Sequence, residues 1–296
     1  MKIASITLFC NERFRLTQWI NYFSEYKEDI YLQVIVNNGR REDNSLLQSA
    51  FPSAIILFSE TSNMTASYNL AINYILNNSD ADSILQITND LRLEKGGLAR
   101  LYNILYKEKQ FGMISPILLK KDSDVVENYG AEIDFTNMLF RHICRNELYD
   151  EVHPDIVYRT GLPGGCFLTK REVYEKIGLQ DEILNMYSDE VDTGIKCANS
   201  GYKLISTKLV KSWHQHVFPN GKTQRSRYAS FYMSRNPIYI ARKYYGYSVV
   251  FSAFWSRLKL AFIELMSCIH HLKGREAFIC SLYSFKGCFI GLFMKM

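Results

Sequence analysis

Cysteine pairs at metal or redox spacing are missing from this sequence. Its seven Cys stand at 10, 144, 166, 197, 268, 280 and 288, an odd number with no CxxC. That scatter indicates neither a disulfide framework nor a zinc site, and it points to a reducing, cytoplasmic compartment. Glycine-rich phosphate loops are missing as well. Neither GxGxxG nor GxxxxGK[ST] occurs, which argues against dinucleotide-binding dehydrogenases and P-loop NTPases. No apolar stretch reaches the ~18 uncharged residues of a spanning helix. The opening MKIASITLFCNERF is interrupted by polar residues too early for a signal peptide. Acidic residues are scarce in the last third: from 208 to 296 there are 14 Lys/Arg against 2 Asp/Glu, a net +12. The remainder carries 21 Lys/Arg against 28 Asp/Glu, a net −7. A basic tail behind an acidic front suits an anionic partner surface.

What is present is enough for a sizeable core. The 296 residues are 47% hydrophobic and 22% charged, the chemistry of one large or two small globular domains. Short apolar runs of buried-strand type occur at 2–9, 29–38, 53–60 and 82–90. Between them, 11–26, 45–51 and 65–79 read as helices. This alternation predicts an α/β fold with a mostly parallel sheet covered on both faces. Ligands of such sheets bind at the carboxyl ends of the strands. Here those ends carry Cys10-Asn11, Asn37-Asn38-Gly39 and Thr88-Asn89-Asp90. A helix at 96–108 and a strand at 111–119 follow. The polar stretch 120–160 reads as a variable insertion with short β pieces.

The chain is organised around 164–204. Gly164-Gly165 opens a strand, a short helix follows, and Asp189, Glu190 and Asp192 stand at the start of a second helix. Clustered carboxylates there suit either a helix N-terminus, which favours negative charge, or a general base beside an acceptor hydroxyl. The glycine pair would allow a ligand to approach the backbone closely. A strand over 203–217 then places His214 and His216 on one side.

In order, these motifs resemble the family-2 glycosyltransferases of GT-A fold, over roughly residues 1 to 245. Phe9-Cys10-Asn11 stands at the family's first strand end, and Val36-Asn37-Asn38-Gly39 at its Val-Asp-Asn-Gly turn. Asn63 and Asn69 match the segment opening the next helix, and Thr88-Asn89-Asp90 the Asp-x-Asp strand end. Gly164-Gly165-Cys166-Phe167-Leu168 and Gly201-Tyr202 bracket the acidic turn as in the family. It departs from the family where Asn37 and Thr88 replace Asp, where Thr65 replaces a Gly, and where the two acids run Asp189-Glu190 in reversed order. The resemblance implies a donor site for a nucleotide-diphosphate sugar built from Phe9, Cys10, Asn11, Asn37, Asn38, Asn63, Asn69, Asn89, Asp90, Gly164 and Gly165. It implies a divalent cation, Mg²⁺ or Mn²⁺, at Asp90 with His214 or His216. It places the general base at Glu190, with Asp189 the alternative, and leaves Asp192 to cap the helix or orient a neighbour.

Residues 219–227 have the composition of a loop able to close over a donor. Tyr228, Tyr232 and Arg235-Asn236 resemble the Tyr-Tyr-x-x-Arg-Asn element of bacterial polysaccharide members, which sets Arg235 either on the diphosphate or in a structural role. From 248 to 272 a polar arc through Arg257, Glu264 and His271 covers less than half a helix, with aromatic and aliphatic residues on the rest. The stretch at 274–295 repeats the theme. Such helices pack on the catalytic domain or a dimer partner, or lie in a membrane surface.

The expected organisation is a GT-A catalytic domain over 1–220, with a donor half at 1–118 and an acceptor half at 119–220. A basic aromatic helical extension covers 221–296. The expected function is an inverting transfer of a sugar to a lipid-linked or surface-polysaccharide acceptor. The resemblance to rhamnosyltransferase-like enzymes suggests capsule or O-antigen assembly, peripherally on the inner face of the plasma membrane. Nucleic acid is not an expected partner, and the oligomeric state, a dimer included, is open. The competing readings are a sugar-1-phosphate nucleotidyltransferase and a non-catalytic polysaccharide-binding subunit.

Overall fold

The run IASITLF forms β1 (Ile3–Phe9), in which all seven residues are buried. Such a strand must be covered on both faces, and the rest of the catalytic half is arranged to do so. The computed structural model describes residues 1–215, 226–271 and 274–295. The chain falls into two compact units. The first takes Met1–Glu132, His142–Glu182 and 190–215; the second takes Ile133–Arg141, Ile183–Asp189 and the C-terminal helices.

After β1 the first unit continues through α1 (Leu16–Ser24), β2 (Ile30–Asn37), α2 (Asp43–Ala50), β3 (Ile55–Phe58), α3 (Met64–Asn78) and β4 (Ser83–Ile87). Then come β5 (Leu91–Leu93), α4 (Gly97–Leu105), β6 (Phe111–Lys120) and β7 (Val126–Asn128). A hairpin of β8 (Ala131–Asp134) and β9 (Leu139–His142), most of which belongs to the second unit, precedes β10 (Ile156–Arg159) and β11 (Cys166–Lys170). The unit ends with α5 (Arg171–Ile177), α6 (Asp189–Asn199, whose first residue belongs to the second unit) and β12 (Lys203–His214).

The main sheet runs β10-β12-β6-β11-β4-β1-β2-β3, with β5 on β12 and β7 on β6. Strands β1 to β4 are mutually parallel, and β12 is parallel to β6. Because β11 is antiparallel to both β4 and β6, β12 and β6 point the same way as β1, β2 and β4. The ends at Phe9, Asn37, Ile87 and His214 therefore lie along one edge. β11, running the other way, starts at that edge. The α/β sheet read from the sequence is observed as a mixed sheet, with β1 to β4, β6 and β12 running one way and β5, β7, β10 and β11 the other.

Both faces are packed. Ala71, Ile72 and Ile75 of α3 cover Ile6, Val34, Val36 and Ile84. Leu98, Leu101 and Leu105 of α4 cover Leu85, Ile87, Leu168 and Ile205 on the opposite face. Trp19 of α1, 2% exposed, closes the first end against Phe9, Ile35 and Phe51. The insertion expected at 120–160 forms β7 to β10.

The second unit contains α7 (Arg227–Tyr244), α8 (Tyr247–His270) and α9 (Arg275–Phe293). Ser281, Ser284, Gly287, Cys288 and Gly291 form the buried stripe of α9. A Cβ at Gly287 would stand 2.3 Å from the Phe231 carbonyl, and one at Gly291 would stand 2.7 Å from the Arg235 carbonyl. Glycine is thus what lets α9 seat on α7. Two members of the polar arc of α8 turn inward and the third, His271, is exposed: Arg257 Nη2 donates to Met138 O at 3.0 Å, and Glu264 accepts from Ser284 Oγ at 3.1 Å. Tyr247, Phe251, Trp255, Phe262, Met266 and Ile269 face outward and exposed. By length and composition α9 is apolar enough to cross a membrane, its few charged residues notwithstanding, and a third of it is buried against its neighbours.

Candidate active site

Asp90 follows β4 in a turn tied to the start of β11, where Thr88 N donates to Gly165 O at 3.0 Å. The next residue opens β5, whose Leu91 pairs with His214 across the ladder to β12. Gln215 N closes the ladder on Asp90 O at 2.9 Å. This pairing sets the two side chains together, with His214 Nε2 3.3 Å from Asp90 Oδ1. From β7, Glu127 Oε1 takes the other ring nitrogen, Nδ1, at 3.1 Å. Arg15, buried in the turn before α1, places Nη1 2.9 Å from Asp90 Oδ2 and 3.3 Å from Gln215 O.

The electrostatics follow from this line of charges. Burial works against an ionised Asp90, but the hydrogen bond and charge of His214, with Thr88 and Arg15, hold its pKa down at about 2. Burial likewise opposes a charged His214. Hydrogen bonds to Asp90 and Glu127 outweigh it and raise the imidazole to about 9.

Asp90 Oδ1 and His214 Nε2 are a carboxylate and an imidazole converging from two strand ends. With its Nε2 proton in place His214 is a cation paired to Asp90, so a divalent cation taking its other ligands from phosphate oxygens would have to displace that proton to use both groups. Glu127 sits on the far side of the ring, where it fixes which nitrogen faces Asp90. Because it cannot share the same ion, no group of three or more His, Cys, Asp or Glu gathers as a cage among the described residues. His216 and the expected closing loop up to 225 lie outside the described residues.

Other expected donor residues are used differently. Asn37 is fully buried and folds its own turn, with Nδ2 donating to Arg40 O and Asn44 Oδ1, each at 2.7 Å, and Oδ1 accepting from Gly39 N at 2.9 Å. Asn11, at a left-handed φ of 59°, accepts from Arg40 N at 3.0 Å. A Cβ at Gly39 would be 2.6 Å from the Asn11 side chain, so the two turns close on each other through that glycine. Asn38 is buried, and its Oδ1 has no protein partner among the described residues. Phe9 is buried against Trp19, whereas Cys10 is exposed. Asn89 ties the strand ends, donating to Leu8 O and the Glu12 carboxylate.

Asn63 caps α3 by accepting from Ala66 N at 3.0 Å and donates to Glu182 O at 2.8 Å. Asn69 is buried, exchanges hydrogen bonds with Gln180 N and O at 2.9 Å each, and reaches Glu182 Oε1 at 3.0 Å. Both bind the 180–182 segment to α3. A Cβ on Gly164 would meet no atom within 4 Å, so this glycine opens on free space, while one on Gly165 would meet Leu118, Leu91 and the His214 ring at ordinary contact distances. Asp189 and Glu190 are half-buried at the start of α6. Asp192 is fully buried and pairs with Lys196 at 3.1 Å. Arg235, which the sequence offered to the diphosphate, is instead buried, with its guanidinium on the carbonyls of Ile183 and Leu184.

Arg15 and Glu127 were invisible in the sequence. Arg15 looks like any cation at a helix start. Glu127 lies in a three-residue strand within a polar insertion, too short for a periodic signal.

The sheet order, the carboxyl-edge site and the flanking helices define the fold of the GT-A glycosyltransferases. Solved structures of that kind align with the chain. GalNAc-T7, solved with UDP, GalNAc and Mn²⁺, superposes with a TM-score of 0.66 at 12% identity, covering 87% of this chain and 51% of its own. The mannosyltransferase PcManGT from Pyrobaculum calidifontis, in complex with GDP-Man and Mn²⁺, gives a TM-score of 0.58 at 14% identity, covering 100% of this chain and 88% of its own. TarS 1–349 of S. aureus gives 0.53 at 12% identity, covering 80% and 64%. In sequence the chain is 23% identical over 164 residues, 55% of its length, to the low-salt glycan biosynthesis hexosyltransferase Agl10 of Haloferax volcanii. It spans half the length of that curated relative. No family model matches the chain.

Proposed function

We propose that this chain is an inverting, cation-dependent glycosyltransferase of family-2 type, moving a sugar from a nucleotide-diphosphate donor to a glycan or lipid-diphosphate-linked acceptor. The observation that carries the reading is the approach of Asp90 Oδ1 to His214 Nε2, 3.3 Å, at the carboxyl edge of the sheet. Mg²⁺ or Mn²⁺ would be held by Asp90 Oδ1 and by His214 Nε2 in place of its proton, and would supply charge neutralisation to the leaving diphosphate. Arg15 holds the second Asp90 oxygen, and Glu127 holds the ring. Asn38 Oδ1, a buried acceptor with no protein partner among the described residues, is available to an N–H of the donor's base.

The protein's own chemistry lies at the acidic turn. Glu190, with Asp189 the alternative, takes the proton of the acceptor hydroxyl as its oxygen attacks the anomeric carbon. The bond from that carbon to the diphosphate breaks on the opposite face, which inverts the configuration.

The outward aromatic face of α8, with Arg257 and Glu264 turned inward, supports association with a lipid surface. The net +12 of the 208–296 tail favours an anionic leaflet such as the inner face of a plasma membrane, where capsule or O-antigen intermediates are assembled. The test is release of nucleoside diphosphate by the purified chain from a panel of nucleotide sugars, with Mn²⁺ or with EDTA and with lipid-linked acceptors supplied. Release with Mn²⁺ that EDTA abolishes is expected. No release from any donor sinks the reading.

A further inference from the structure

Asn185, Tyr187 and Ser188, just before the acidic turn, all hold left-handed backbone, with φ of 65°, 63° and 64°. None is glycine, and each costs about 1 kcal/mol or more in that conformation unless something holds it. What holds it is one face of α7. Tyr232, Arg235 and Asn236 stand at i, i+3 and i+4 and all point at this loop. Asn185 Nδ2 donates to Tyr232 Oη at 3.0 Å. Arg235 donates to the carbonyls of Ile183 and, at 3.1 Å, Leu184. Asn236, fully buried, directs Nδ2 at the carbonyls of Leu184, Met186 and Tyr187, at 3.0, 2.9 and 2.6 Å.

The orientation of the Asn236 amide is determined. Arg235 Nε donates to its Oδ1 at 2.8 Å, so its NH₂ must face the carbonyls. Bulk would not replace it, because only a donor answers these carbonyls, its two N–H hydrogens being shared among the three. Helix α9 packs on α7 so closely that a Cβ at Gly291 would stand 2.7 Å from the Arg235 carbonyl.

We infer that Arg235 and Asn236 are positioning residues: they hold loop 183–188 in the left-handed form from which the chain enters the Asp189-Glu190 turn. Through that loop α7 sets the backbone that leads into the acidic turn. This rests on the glycosyltransferase reading for its kinetic arm but not for its structural one.

The experiment pairs hydrogen exchange with kinetics on the full chain. Asn236→Asp keeps the size and the Arg235 contact but removes the donor; Tyr232→Phe removes a single contact and serves as the mild variant. Both should speed amide exchange in 183–188, Asn236→Asp by tenfold or more, with the sheet unchanged. On whichever donor the parent turns over, Asn236→Asp should lower kcat at least tenfold with donor KM within twofold, and Arg235→Lys should not restore the loop. Unchanged exchange in both variants overturns the inference. So does a raised donor KM with kcat held, which would return Arg235 to the diphosphate. If the parent releases no nucleotide, the functional reading fails while the exchange result still decides the loop.

Discussion

Asp90 and His214 meet because Leu91, the residue after the acid, pairs with the histidine itself across the β5–β12 ladder. The contact is thus fixed by main-chain register, and the side chains need little search to find each other. Both oxygens of Asp90 are committed, Oδ1 to His214 at 3.3 Å and Oδ2 to Arg15 at 2.9 Å.

Replacing Asp90 by Asn takes this counter-charge away from the buried Arg15 guanidinium and His214 ring. Stripping one partner from a buried pair costs about 3 kcal/mol, which urea unfolding of the metal-free protein would measure. The same variant should lose Mn²⁺-dependent nucleotide release by about a hundredfold, in line with the loss of a group neutralising charge at the reacting centre. Wild-type Mn²⁺ dependence in Asp90→Asn would remove this site from the chemistry.

The metal-free protein should also lose stability as the solution becomes basic. The folded pKa of His214, about 9, lies above its ordinary 6.5. A raised folded pKa contributes stability that is complete below 6.5 and lost as pH climbs to 9, on the order of 3 kcal/mol. Asp90, depressed to about 2, acts in the other direction, and its contribution is lost only as pH falls from 3.8 toward 2. Urea midpoints at pH 6, 8 and 9.5 test the first window. His214→Gln should flatten that slope, and an equal slope in the variant would assign it to other groups.

The acidic turn yields a choice between two carboxylates. Glu190→Gln should reduce transfer about a thousandfold, within the usual range for a lost general base, while leaving donor binding intact by calorimetry. Asp189→Asn should reduce it less than tenfold. The opposite ranking would move the base to Asp189, and full activity in both variants would remove this turn from proton transfer.

The sheet was legible because its strands are continuous apolar runs, IASITLF and SILQI among them, bounded by Asn and Asp turns. Asp90 and His214 were legible as strand-end residues. Their supporting shell was not, since Glu127 and Arg15 reach the site through tertiary packing that leaves no periodic trace. Asn37, Asn63 and Asn69 show a different limit. Residue type marked them as hydrogen-bonding side chains at the right edge, but Asn satisfies a turn or a helix cap as readily as a ligand. Arg235 was equally ambiguous: the same fork that suits phosphate also suits a pair of carbonyls, and only the position of α7 decides between them.

The outer face of α8 should bind lipid in proportion to the aromatic area it exposes. Phe251 and Trp255, 65% and 51% exposed, stand one helical turn apart, with Phe262, Met266 and Ile269 continuing the stripe. The buried positions of α8 are the small Val250, Ala253 and Ala261, with Arg257 and Glu264 half-buried beside them, and these larger apolar side chains are left outward. An aromatic ring moved from water into the interface contributes roughly 1.5 to 3 kcal/mol, so Trp255→Asp should weaken binding to phosphatidylglycerol-containing vesicles by about tenfold or more. Flotation against vesicle concentration measures this, with added salt separating the contribution of the basic tail, which screening weakens. Release of nucleotide from a soluble donor should be unaffected, because no residue of the Asp90–His214 line is altered. Undiminished flotation of Phe251→Asp/Trp255→Asp would leave this face to a protein partner, and size-exclusion chromatography of the same variant would then report whether that partner is a second copy of the chain.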